Sequence, residues 1–198
     1  MSVAGAVHGR AAGRRYRRDV RSFRPMCDEL ETSRLRLRRS GVEDSQAVRE
    51  LWLERDPRVP SHRRVDHLGR PSLEAMQQRI TAELTESERS GLWLLAIERK
   101  SAPGFIGYCG LTVGAATEAE PEIAFELFRA HQGQGFATEA AIAVLDAARA
   151  TGRSRLWATV RVWNAASFNV LAKLGFLDSG RRTIDPVHGD TTWMSCNL

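Results

Sequence analysis

Two short stretches of the chain carry groups that could do chemistry together. The first is Gln132-Gly133-Gln134-Gly135-Phe136-Ala137-Thr138, a glycine-rich turn that opens a strongly periodic helix. Such a turn presents unpaired backbone N–H groups and the positive end of a helix dipole, a setting that suits a phosphate. Gly133 and Gly135 remove the Cβ atoms that would keep a ligand away from the backbone. A plain tight turn would use glycine for the same geometry, so the turn alone leaves both readings open. The second stretch is Asn164-Ala165-Ala166-Ser167, followed six residues on by Lys173-Leu174-Gly175-Phe176. Asn164 suits a helix N-cap, and Ser167 either caps the same helix or faces a ligand crossing its mouth. In this order the two stretches suggest a phosphorylated cofactor with chemistry beside it. The spacing is not a dinucleotide fingerprint, because Thr138 stands where the third glycine would be. A Gly-Lys-Ser/Thr loop is also missing, which argues against nucleotide hydrolysis.

Proton transfer needs a titratable group near that turn. Glu122 and Glu126 lie in the apolar run Glu122-Ile123-Ala124-Phe125-Glu126-Leu127-Phe128, which leads into the turn, and the period of two puts both on one strand face. Each is either a charge on a sheet face or a proton acceptor. His131 reads as a loop residue beside the turn, and His62, His67 and His188 match no metal-ligand spacing, so no metal is expected. Cys27, Cys109 and Cys196 are too few and too far apart for a disulfide framework or a zinc site. They read as structural thiols in a reducing, cytoplasmic setting.

These groups need a fold to hold them. At 198 residues, 42% apolar and 27% charged, the chain fits one domain. No apolar run exceeds the six residues 92–97, too short for a membrane helix of roughly 20. The net charge of +5 misleads, since residues 1–25 hold seven arginines against Asp19, leaving −1 for the remainder. That nearly neutral body gives no electrostatic case for nucleic-acid binding. Residues 1–25 lack hydrophobic periodicity and are expected to form a disordered, Arg-rich extension, with Met26 an equally good start. Only Lys100 and Lys173 are lysines, a bias that fits a GC-rich bacterial genome.

From Leu35 an alternating pattern predicts a strand. Asp44 is placed to cap an amphipathic helix bearing Val48, Leu51 and Trp52, and Pro57 and Pro60 end it. A polar loop at 55–70 precedes a helix with Leu73, Met76, Ile80 and Leu84 on one stripe. Strands are expected at 92–98, 104–111 and 122–128. The next helix aligns Ala137, Ala140, Ala141, Val144, Leu145 and Ala148, with Gly152 just past its end. A strand at 155–162, a helix at 164–174 and two short strands around 188–190 complete the order β-α-α-β-β-β-α-β-α-β-β.

With its motifs in view, the chain resembles the GNAT N-acetyltransferase superfamily, in particular its RimJ/RimL-like branch of ribosomal-protein-alanine acetyltransferases. The resemblance runs from Thr32-Ser33-Arg34-Leu35-Arg36-Leu37-Arg38 to the C-terminus. The family's acetyl-CoA loop matches Gln132, Gly135 and Ala137, and the segment after it matches Phe136-Ala137-Thr138-Glu139-Ala140. Its Asn-x-x-Ser and Lys-Leu-Gly-Phe motifs match Asn164, Ser167 and 173–176, and its Glu-Ile strand matches 121–125.

The resemblance implies an α/β GNAT fold over residues 26–198, with a mixed, mostly antiparallel sheet flanked by helices and two splayed strands holding the acyl-CoA. It implies acetyl-CoA as co-substrate, its pyrophosphate on the amides of 132–138 and its pantetheine along Leu127, with Asn164 and Lys173 nearby. The implied reaction is direct acetyl transfer to a primary amine, on a peptide N-terminus or an amino-acid-like molecule. Glu122 is the expected base and Glu126 the second choice. Many members carry a tyrosine acid where this chain has Leu171, which leaves Ser167, or a water on Asn164, to protonate the thiolate. A non-catalytic acyl-CoA sensor is the alternative. A monomer or homodimer is expected, and the acceptor would be gripped by residues 55–70 and 184–190.

Overall fold

The computed structural model describes residues 23–198, as β1 (Glu29–Glu31), β2 (Leu35–Arg39), α1 (Ser45–Leu53), α2 (Leu73–Ser90), β3 (Leu94–Arg99), β4 (Ala102–Thr112), β5 (Glu122–Leu127), α3 (Phe136–Ala150), β6 (Arg155–Arg161), α4 (Ala165–Lys173), β7 (Leu177–Thr183) and β8 (Thr191–Asn197). The expected extension therefore lies outside the described residues, apart from its last three. There the Arg24 amide donates to Thr151 O at 3.1 Å, and the Arg153 guanidinium sits 4.7 Å from the centre of the Phe23 ring.

All eight strands form one sheet in the order β1-β2-β3-β4-β5-β6-β8-β7. Every neighbouring pair is antiparallel except β5 and β6, so the sheet is mixed and mostly antiparallel, as expected. β1 was not foreseen: three residues of Glu-Leu-Glu are too short to show alternation, and only pairing with β2 makes them a strand.

Helix α3 packs on β2, β4 and β5, and its buried stripe of Ala140, Ala141, Val144, Leu145 and Ala148 faces the main core. Small alanines let its backbone approach the sheet closely. Helices α1 and α2 pair with each other and have their own apolar cluster of Trp52, Val65, Met76 and Ile80. Ser72 caps α2 by accepting from the Ala75 amide, and Gly91 ends it at φ 67°. Gly152 and Gly175 follow α3 and α4 at φ 84° and 78°, as the sequence implied. Asp44 does precede α1, yet its side chain does not cap it. Its carboxylate is instead held by the Arg38 guanidinium at 2.7 and 3.0 Å and by the Gly41 amide at 2.9 Å. A nearby cation outcompeted the helix end for that carboxylate.

Candidate active site

The site begins where two strands part. β5 and β6 share one register pair, Glu122 with Trp157, and the Trp157 amide donates to Pro121 O at 2.9 Å. Beyond that pair the parallel strands separate. The Phe128 amide donates to Ile106 O at 3.0 Å, so the even-numbered backbone groups of β5 face β4. By alternation, those of Phe125 and Leu127 face the opening. The Leu127 carbonyl accepts from Gln132 Nε2 at 2.9 Å.

The glycine turn closes one end of this gap. Gly133 and Gly135 have φ of 73° and 83°, left-handed values that glycine adopts without strain, and Gly135 is the N-cap of α3. Among the described residues, the N–H groups of 133–138 find no protein acceptor. A Cβ built on Gly133 would meet nothing within 4 Å, so the turn is bare on that side. A run of free amides at the start of a fifteen-residue helix is the donor set a pyrophosphate requires. Gln134 differs from its neighbours: its side chain folds back on Ala130 O at 3.0 Å, and its carbonyl accepts from Arg34 at 3.0 Å.

A cavity of about 1280 Å³ runs from this turn past β5 to α1 and α2. Around it lie Glu122, Glu126, Leu127, Gln132, Gly133, Gly135, Phe136, Ala137, Thr138, Asn164, Ser167 and Lys173; Gln134 does not line it. The two carboxylates, equivalent in sequence, have different surroundings. Glu122 is 7% exposed and accepts from the Ala115 amide at 2.6 Å and from Thr159 Oγ1 at 2.8 Å, with no cation bonded to it among the described residues. Glu126 is held by Arg55, whose Nε lies 2.8 Å from Oε1 and whose Nη2 bonds Oε2, and by the Tyr108 hydroxyl at 2.8 Å. Burial, reinforced by the Glu126 charge, pushes the Tyr108 phenol well above its ordinary pKa, so it stays a donor. Burial works against the Arg55 charge, but Glu126 and Tyr108 outweigh it and the net shift is upward. Glu126 is thus committed to an ion pair.

At the other wall Asn164 caps α4, its Oδ1 accepting from the Ser167 amide at 3.1 Å. Ser167 Oγ has no protein partner among the described residues. Lys173 is exposed, and Leu171 is fully buried. Trp163, just after β6, bridges residues 55–70 and the turn between β7 and β8: the Arg58 guanidinium lies 4.3 Å from the centre of its ring, and its Nε1 donates to His188 O at 2.8 Å. Several loop cations are already engaged, Arg55 by Glu126, Arg58 by Asp56 and Arg70 by Asp66. Sequence reasoning missed Tyr108 and Thr159 as neighbours of the carboxylates. Cross-strand register alone brings them there, and no local pattern reports it.

A sheet that parts beside a bare glycine turn and a helix N-terminus defines a protein with room for an extended, phosphate-bearing ligand beside its central strands. The chain belongs to the GNAT family of acetyltransferases: the family's acetyltransferase (GNAT) domain matches residues 34–177. The uncharacterized N-acetyltransferase YoaA of Bacillus subtilis is 30% identical over 157 residues, covering 76% of this chain and 84% of YoaA. An acetyltransferase structure from Agrobacterium tumefaciens is 26% identical with a TM-score of 0.68, over 87% of this chain and 95% of that one. Mycobacterium smegmatis RimJ, solved in complex with CoA-disulfide, is 21% identical with a TM-score of 0.65, over 83% and 82%. The chain is accordingly an acetyl-CoA-dependent N-acetyltransferase, and the RimJ/RimL branch that its motifs suggested is represented among its structural neighbours.

Proposed function

We propose that this enzyme acetylates the α-amine of a peptide N-terminus or of an amino-acid-like molecule, with Glu122 as the proton acceptor. The observation that carries the reading is the cavity shared by Gly133 and residues 135–138 with a Glu122 carboxylate that, among the described residues, is bonded only by neutral donors. Acetyl-CoA, when bound, supplies an acyl group already activated as a thioester. The turn amides hold its pyrophosphate, and the inward-facing N–H groups of β5, Leu127 first, steady negative charge on the acyl oxygen. An α-amine has a pKa of about 7.7–8.0 and a lysine amine about 10.4, so a proton must leave before attack. Glu122 takes it, directly or through a water, because Glu126 is occupied by Arg55. Ser167 Oγ, or a water on Asn164 Nδ2, protonates the departing thiolate, since Leu171 offers no acid. Arg58 and Arg161 line the cavity paired with Asp56 and Asp185, whereas Arg63 has no carboxylate partner among the described residues and disfavours polycationic acceptors such as polyamines and aminoglycosides.

The test is CoA release measured against N-terminal peptides, free amino acids, polyamines and aminoglycosides. Turnover is expected on the first two classes, with kcat/KM falling about 10²–10⁴-fold in Glu122→Gln. Unchanged kinetics and pH profile in that variant would remove Glu122 as the base. The missing tyrosine at Leu171 favours one second reading, an acyl-CoA sensor, which would bind CoA and release none with any amine.

A further inference from the structure

The glycine turn is gripped from behind by residues outside the cavity. Glu139, in the first turn of α3, accepts from Thr32 Oγ1 at 2.5 Å, Ser33 Oγ at 3.1 Å, the Arg34 amide at 2.9 Å and Arg34 Nε at 2.7 Å. Arg34 Nη2 completes a two-pronged ion pair at 2.6 Å. The same guanidinium donates from Nη1 to the Gln134 carbonyl at 3.0 Å and lies 4.5 Å from the centre of the Phe136 ring. Burial would raise the Glu139 pKa, but the bonds from Thr32 and Arg34 lower it overall, so the group is an anion. Arg34 therefore ties the connection between β1 and β2 to the turn and to the first turn of α3 at once.

Two physical problems meet at this spot. A turn with glycines at 133 and 135 has more backbone freedom than one bearing side chains there, and holding its amides in one direction is helped by an outside anchor. A carboxylate in the first turn of α3 would also oppose a second anion at the same helix end, unless a cation cancels it. We propose that Arg34 and Glu139 are positioning residues for the acyl donor: Arg34 fixes the Gln134 peptide so that the 133–138 amides stay aimed at the pyrophosphate, and it neutralises Glu139 beside them. The proposal rests on the donor site described above.

Full-length Arg34→Met, Glu139→Gln and the double variant test it by calorimetric titration with CoA and by amide hydrogen exchange. Each single variant is expected to weaken CoA binding about tenfold, the size of one charge-assisted hydrogen bond. The double variant should bind no worse than the weaker single one, because the pair acts as a unit. In the CoA complex, where the ligand would protect these otherwise unbonded amides, exchange at 133–138 should quicken, and the KM for acetyl-CoA should rise with kcat at saturation changed less than twofold. An unchanged CoA Kd in a folded variant would overturn the proposal. So would strictly additive losses, or a lowered kcat with an unchanged Kd, which marks a merely structural role. Should Arg34→Met not fold, Thr32→Val removes a single donor to Glu139; a two- to threefold weaker Kd with faster exchange supports the proposal, and unchanged values overturn it. Failure of the parent protein to bind CoA is a separate result, and it would bring down the donor site itself.

Discussion

Arg55→Met breaks the ion pair that closes the wall behind β5, and its cost can be worked from the geometry. The Arg55 side chain is 10% exposed and Glu126 22%. Removing one partner of a fully buried pair costs about 3–5 kcal/mol, mostly because the surviving charge is stranded. Here Tyr108 still donates to Glu126 and some solvent reaches it, which lowers the expectation to about 2–3 kcal/mol. Part of that is packing, since the Arg55 guanidinium stacks 4.2 Å from the centre of the Trp52 ring. For a domain of this size each kcal/mol moves Tm by about 2–4 °C, so scanning calorimetry should record a drop of about 4–12 °C. Adding Glu126→Leu to Arg55→Met removes the stranded charge and should recover most of the loss. A cost below about 0.5 kcal/mol, or a double variant that adds a second full penalty, would refute the reasoning.

Other outcomes follow from the same structure. Gly107→Ala puts a Cβ 2.1 Å from Glu126 O at a φ of 152°, so the variant should lose more than about 3 kcal/mol in urea unfolding, and parent-like stability would contradict that. The backbone N–H of His188 and then the Arg161 guanidinium hold the Asp185 pKa down to about 2. Its contribution is therefore present above its ordinary value of 3.8 and is lost as pH falls from there towards 2; the amide resonances of Val187 and His188 should shift in that window and not in Asp185→Asn. Cys27 is exposed, Cys109 is buried and Cys196 is half-buried with its pKa raised by burial. A thiol reagent should titrate one cysteine quickly, a second slowly and Cys109 only on unfolding; rapid modification of all three would contradict the packing.

The reach of the sequence differed from element to element. α3 was legible because its alanine stripe recurs with helical period, and Gly152 marks its end. The turn at 132–138 was legible because a glycine pair before a helix has few geometric uses. β1 was invisible, since three residues hold no period. Asp44 was placed correctly and given the wrong task, because the competing Arg38, six residues back on β2, comes beside it only once the chain turns between β2 and α1. Glu122 and Glu126 looked alike for the same kind of reason. What separates them is Arg55, Tyr108 and Thr159, contributed by three other segments. Motifs report what is local, while the electrostatic identity of a side chain is decided by whatever the fold brings beside it.

The single register pair between β5 and β6 has a consequence for how such a sheet can change over evolutionary time. Apart from Glu122 and Trp157, no backbone ladder joins the two halves of the sheet among the described residues. The width of the slot between them is therefore governed by side chains, those of α3 against β4 and β5 and those of α4 against α3. A larger or smaller residue on either helix re-spaces the slot while every other strand keeps its hydrogen bonds. The width of that slot can thus drift by one side chain at a time, on a scaffold whose eight described strands need no re-registering.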